Sequence, residues 1–192
     1  MMPEHTKSSA SRRELEDRIR TLEEQARLTL DILEMASSLG DFQTSINKLH
    51  EPNQILAETA ERISRFVSFH ATAFYLVDED NNDFVLASCE PSIHEEIIRR
   101  EVSHLIDTGI FAMAIRENRP ITVYSQDGNH RLVLHVLATS SRVRGMFIGL
   151  TTRTERSISS ILLALLSIVL KNCANAIESF ELYQFFYKSR SE

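Results

Sequence analysis

The chain has 192 residues, 43% hydrophobic and 25% charged, with five glycines and four prolines, a composition that fits one globular domain with an appendage. Its formal net charge of -6, with cations interleaved among acids, argues against a nucleic-acid-coating surface. Cys89 and Cys173 stand far apart without a CxxC partner. Neither a zinc site nor a disulfide framework is expected, and a reducing cytoplasm fits.

The start, Met1 to Ser11, lacks the apolar core of a signal peptide, and residues 1–10 read as a disordered tail. Residues 11–50 read as a long coiled-coil-type helix. Leu15, Ile19, Leu22 and Ala26 follow alternating steps of four and three inside a charged coat, a thin seam that implies a partner helix. The helix widens through Leu33 to Leu49, with a bend at Gly40, and Pro52 closes it.

Residues 51–187 read as one domain, followed by a tail at 188–192. A second amphipathic helix spans about Asn53 to Ser68. The period then switches to two. Ala71 to Val77 and Phe84 to Cys89 form a hairpin around the acidic run Asp78 to Asp83. Ser92 and Glu95 read as a capping box opening a helix through Leu105, and Thr108-Gly109 separates it from a short helix around Phe111 and Ile115. Ile121 to Tyr124 is a short strand, and Asp127-Gly128 a turn. Arg131 to Thr139 and Val143 to Thr151 form a second hairpin around Ser140-Ser141, and Ser157 to Tyr187 is one long helix. The order gives an α+β fold, an antiparallel sheet of five to six strands flanked by helices.

Several segments in this order carry a resemblance. "FHATAFYLVDEDNNDFVLAS" (Phe69 to Ser88), "ENRPITV" (Glu117 to Val123), "MFIGLTT" (Met146 to Thr152) and "ILLALLSIVLKNCANAIESFELY" (Ile161 to Tyr183) together resemble a GAF domain, the small-molecule sensing module related to PAS. The resemblance covers roughly Leu30 to Tyr187 and implies a sensory fold with helices at both ends. Its departures are informative. The Tyr124–Arg131 connection is short where many ligand-binding relatives have a longer roof. The Asn-Lys-Phe-Asp-Glu signature of cyclic-nucleotide-binding members is not visible, and neither is a bilin-attachment cysteine. The cysteine set of the relatives that reduce free methionine sulfoxide is also missing, so no catalytic residue is assigned.

The candidate chemistry is sparse. His94-Glu95-Glu96-Ile97-Ile98 begins like a zincin motif, but Ile98 stands where the second histidine belongs, leaving His94 as a solvent-facing residue and no metal site. His135 lies on an apolar strand covered on both faces, where it is either a satisfied core histidine or a ligand to a small molecule or haem. Tyr124, Phe74, Phe111 and Ile115 are candidates to frame the same cavity, although any core needs such residues. Cys89 is either an inert thiol or a redox switch. Arg142, Arg144, Arg153 and Arg156 are either a local basic patch or, as charge runs more often are, a solvated loop.

The last helix is apolar nearly all round, so it needs cover on two sides. Leu166 and Leu170, with Leu15, Ile19, Leu22 and Leu33 of the first helix, are the candidate dimer interface. The functional expectation is a non-catalytic cytoplasmic sensory module that forms a homodimer through its terminal helices. It would bind a small ligand beside the sheet and hand its signal to a downstream signalling protein, with no nucleic acid, no membrane insertion and no assigned cofactor. The alternatives are a ligand-free structural adaptor and a haem or redox sensor or enzyme built on His135 or Cys89.

Overall fold

The computed structural model describes residues 15–23, 26–27, 29–30, 33, 44, 51–78, 80–153 and 158–188. The chain divides into two compact units, Met1–Phe42 and Gln43–Glu192. In the first, residues 15–23 are helical, and Leu15, Ile19, Leu22 and Leu33 are all more than half exposed. The tail expected at 1–10 and the bend at Gly40 lie outside the described residues.

The second unit runs α1 (Pro52–Ser64), β1 (Ala71–Val77), β2 (Phe84–Glu90), a 3-10 turn (Ser92–His94), α2 (Glu95–Asp107), α3 (Ile110–Glu117), β3 (Ile121–Tyr124), β4 (His130–Ala138), β5 (Val143–Thr152) and α4 (Ser160–Lys188). Lys188, expected in the tail, still belongs to α4, and the rest of that tail lies outside the described residues. The five strands pair antiparallel in the order β2-β1-β5-β4-β3.

Local chemistry sets most boundaries. Pro52 occupies the first turn of α1, where a missing N–H leaves no bond unmade. That helix stops at Ser64, short of the expected Ser68, and its last amides fold onto Arg62 and Ile63 carbonyls. The capping box expected at Ser92 and Glu95 does not form. Ser92 lies in the 3-10 turn after Pro91, and α2 starts at Glu95 with no side-chain cap. Gly109 at φ 75° and Asn118 at φ 47° bracket α3, both in the left-handed region that such punctuating residues tolerate.

Strand alternation divides the core into two faces. Ala73, Tyr75, Leu134, Val136, Met146 and Ile148 point to one face and meet Ile98, Val102 and Leu105 of α2 and Phe111 of α3. Phe74, Val133, His135, Leu137 and Phe147 are buried on the opposite face, under α1 and α4. β4 is therefore covered on both sides, as its composition predicts.

The 29 residues of α4 extend its apolar character beyond the Ile161–Leu170 run. By length and composition alone the segment Ser160–Phe185, whose most apolar 18-residue stretch has a mean hydropathy of 1.8, could cross a bilayer. Its packing is that of a core helix: Leu165, Leu166, Val169, Leu170, Cys173 and Ile177 are all buried. Leu166 and Leu170 are 0% exposed, which corrects their assignment to a dimer interface. They are spent on the chain's own sheet, and the exposed large apolar residues of α4 are Ile161, Ile168, Leu182, Tyr183 and Phe185.

Candidate functional site

The expected ligand set does not converge on one cavity. His135 and Phe74 lie on the α1/α4 face of the sheet, whereas Phe111 lies on the opposite face with its ring edge-on to Phe84 at 4.9 Å. Tyr124, on edge strand β3, is 64% exposed, with the Arg153 guanidinium 5.9 Å from its ring centre. Strand parity puts His135 and Phe74 on one face of the sheet, and Phe111 meets the other face from α3.

His135 is a satisfied core residue. Its Nδ1 lies 2.6 Å from the Val136 carbonyl oxygen and its Nε2 3.0 Å from Ser167 Oγ on α4. The carbonyl only accepts, so Nδ1 carries the proton, and the single Ser167 hydroxyl proton is shared between Nε2 and the Leu163 carbonyl oxygen 3.1 Å away. Burial pushes the imidazole below its ordinary value of 6.5, opposed in part by the Val136 bond. A base with a depressed native pKa contributes stability that is full above its unfolded value and lost as pH falls through that value toward the native one. Acidification from about pH 7 to about pH 5 should therefore lower the melting temperature, each pH unit of depression being worth about 1.4 kcal/mol. His135→Gln should show a shallower decline over the same window in thermal melts. An unchanged slope would remove His135 as its source.

Two other expectations are revised. His94 is half-buried, its ring 4.4 Å from that of His70, and burial lowers its pKa; it is not a solvated helix-start residue. Arg144 is 4% exposed and is no part of a solvated basic loop. Arg156 lies outside the described residues. The short Tyr124–Arg131 connection closes on itself, with the Ser125 amide bonded to the His130 carbonyl at 3.0 Å and Gly128 to Ser125 at 2.9 Å. Asp127 stabilises the turn by accepting from Ser125 Oγ at 2.6 Å, the main cause of its pKa falling to about 2. Buried Glu101 of α2 accepts from the Gln126 amide at 3.0 Å and ties the turn down.

The burial of Arg144 has a backbone cause. Leu137 pairs with Gly145 and Ala138 with Val143, which leaves Arg144 as the extra residue of a β-bulge; bulges re-aim side chains. Its Nη2 donates to Glu178 Oε1 at 2.9 Å and its Nη1 to Glu181 Oε2. Arg142, 51% exposed, reaches Glu181 Oε2 at 3.6 Å. Glu178 also accepts from the Ser141 hydroxyl, the main cause of its lowered pKa. The β4–β5 hairpin is thus clamped to the last third of α4. Arg-x-Arg at a strand start and Glu-x-x-Glu on a helix were the available signals, since residues three apart share a helix face.

Two cavities flank these elements. One, of about 660 Å³, opens between α1 and the β1/β2 edge, lined by Ala57, Glu61, Ser64, Phe69 and Glu90 among others. The second, of about 410 Å³, lies at the hairpin end of the sheet, where Ile115, Phe84 and Val143 meet Arg142, Arg144 and Glu181. Ile115 is the one residue of the expected ligand set found there. Among the described residues no group of three or more His, Cys, Asp or Glu side chains could hold a metal ion.

Comparison with known proteins follows from this geometry. The family profile described as GAF domain matches residues 51–179. The GAF domain of a putative sensor histidine kinase from Pseudomonas syringae pv. tomato is similar in fold at 12% identity and a TM-score of 0.63, covering 88% of this chain and 99% of that one. The GAF domain from a phosphoenolpyruvate-protein phosphotransferase of Coxiella burnetii gives 11% and 0.60, over 80% and 98%. Free methionine-R-sulfoxide reductase from Neisseria meningitidis, solved with its substrate, gives 14% and 0.57, over 79% and 93%. No curated protein matches.

Proposed function

This chain belongs to the GAF-domain family, a family of sensory and signalling modules, and on that premise we propose that it is a non-catalytic cytoplasmic signalling module. It forms a homodimer through its terminal helices, responds to a small ligand and passes the response to a partner protein. The observation carrying the dimer is the outward face of α4. Ile161, Ile168 and Leu182 are 45%, 46% and 48% exposed and fall, with exposed Asn175, on one seven-residue repeat. One apolar position per seven residues supplies half of a helix-pair seam, and a single polar residue within it can fix register. The exposed Leu15, Ile19, Leu22 and Leu33 supply a second seam of the same kind.

The non-catalytic reading is supported by the state of the two thiols. Burial pushes the fully buried Cys173 thiol up to about 12, away from the thiolate that nucleophilic or redox chemistry uses, and raises Cys89 as well. Haem ligation through His135 Nε2 would require its Ser167 contact on α4 to be replaced, while the Nδ1–H bond to the Val136 carbonyl could remain. A ligand-free adaptor is favoured by one observation, the closed 125–129 turn that leaves no roof beside β3.

Sedimentation equilibrium tests the dimer. The wild-type chain should be dimeric. Ile168→Asp, applied twice by symmetry, should weaken association at least about a hundredfold without altering the circular dichroism spectrum. A monomeric wild type, or an unmoved dissociation constant in the variant, would refute the seam.

A further inference from the structure

The 660 Å³ cavity between α1 and the β1/β2 edge exists because one face of α1 is small. Ala57, Ala60 and Ser64 recur in steps of three and four, so they share that face and leave space that larger side chains would fill. The volume is within the range of small-molecule pockets. Phe69 forms an apolar wall, its ring edge-on to Phe147 at 5.5 Å and seated against Gly149. The polar part of the lining is rich in acceptors. Glu61 and Glu90 bring two carboxylates, and among the described residues no cationic side chain lines the cavity. Glu61 Oε1 receives Arg65 Nη2 at 2.7 Å, while the Glu90 carboxylate has no hydrogen bond or ion pair to a described residue. Ser64 Oγ donates its proton to the Glu61 main-chain carbonyl at 2.7 Å and keeps its lone pairs. The Thr72 hydroxyl lines the same space from β1.

We propose that this cavity binds a primary organic ammonium ion with a hydrocarbon or aromatic body, its nitrogen at Glu90 and its body against Phe69. An ammonium group supplies what the lining lacks, three donors and a positive charge. Arg65 already meets Glu61, so Glu90 is the carboxylate that remains for a cation, and this selects one ammonium group over a diamine. An inorganic cation would leave the apolar wall unused, and a neutral alcohol of the same shape would forgo the charge-assisted bond, which is roughly twice as strong as a neutral one. The binding stands on the cavity itself; its role as the signal rests on the sensory reading above, whose ligand it assigns to a chemical class.

Amide-resolved NMR of the full chain at about pH 7, titrated with phenethylamine and hexylamine, tests this; both are ammonium ions there. Phenethyl alcohol, hexanol and ammonium chloride at matched ionic strength serve as controls. The amines should give saturable shifts centred on residues 57–64, Phe69, Thr72 and Glu90. The alcohols should bind at least roughly tenfold more weakly, and ammonium chloride should give no saturable shift. Glu90→Gln should weaken amine binding roughly tenfold. Ala60→Leu, an exchange between two good helix formers, should fill the cavity and abolish binding with an unchanged circular dichroism spectrum. Absence of saturable shifts with both amines overturns the site. So does equal binding of the alcohols, or an amine affinity unchanged in Glu90→Gln or in Ala60→Leu. A monomeric wild type that still binds the amines overturns the dimeric signalling reading alone, and a dimer that binds neither amine overturns this site alone.

Discussion

Gly145→Ala should destabilise the domain by about 4 kcal/mol or prevent folding, with urea denaturation as the measurement. Gly145 lies in β5, the middle strand of the sheet, paired with Leu76 of β1 and Leu137 of β4. A Cβ there would lie 2.1 Å from the Tyr75 carbonyl oxygen and 3.2 Å from Leu76 Cδ2. The first contact is with backbone, which cannot turn aside. Relief requires β1 to move away from β5, and the hydrogen bonds between them lengthen with it. Because Arg144 is the adjacent bulged residue, the same movement would also misplace the clamp on α4. Gly149→Ala is the internal comparison. Its Cβ would meet the Phe69 ring at 2.3 Å, a side chain that can rotate, so its cost should be clearly smaller. Equal costs for the two variants, or a loss below about 1 kcal/mol for Gly145→Ala, would show that the strand pair is not as tight as described.

The contrast between these glycines bears on what was readable from sequence. β1 and β3 were legible to the residue because alternation and flanking turn signals are local properties. The two-faced burial of β4 was legible for the same reason. What needed the third dimension was side. Nothing along α4 separates Leu166 and Leu170, which face the sheet, from Ile161 and Ile168, which face outward; an apolar pattern on all sides carries no direction. Helix packing likewise puts Phe111 of α3 on the face of the sheet opposite His135, and no linear pattern shows that. The arginine clamp was hidden by the bulge, since one extra residue turns a predicted solvated Arg144 into a buried one. Helix starts were blurred by Pro91, which delays α2 past the apparent cap at Ser92. The clamp and the cavity beside it were therefore the least legible part. They are assembled from the ends of α3, α4 and both hairpins, and their defining contacts span more than thirty positions in sequence.

Phe147→Ala should cost about 3–5 kcal/mol, the range for emptying a buried aromatic site. Phe147 is 0% exposed and sits on the α1/α4 face of β5. Its ring is edge-on to Phe69 at 5.5 Å and to Phe74 at 5.2 Å, and it pairs across the sheet with His135. Truncation leaves a void against the Phe74 ring, which is 1% exposed, so collapse should be partial. The void would lie beneath α4, the helix that carries the outward seam. If the dimer depends on how α4 is seated, Phe147→Ala should weaken association even though the residue is buried far from the interface. Phe74→Ala, also on this face and 1% exposed, should be less than additive with it because the two rings share one contact. Chemical denaturation of the singles and the double gives the coupling. Full additivity, or a Phe147→Ala loss below about 2 kcal/mol, would mean that the face relaxes around the missing ring and that α4 is not rigidly seated by it.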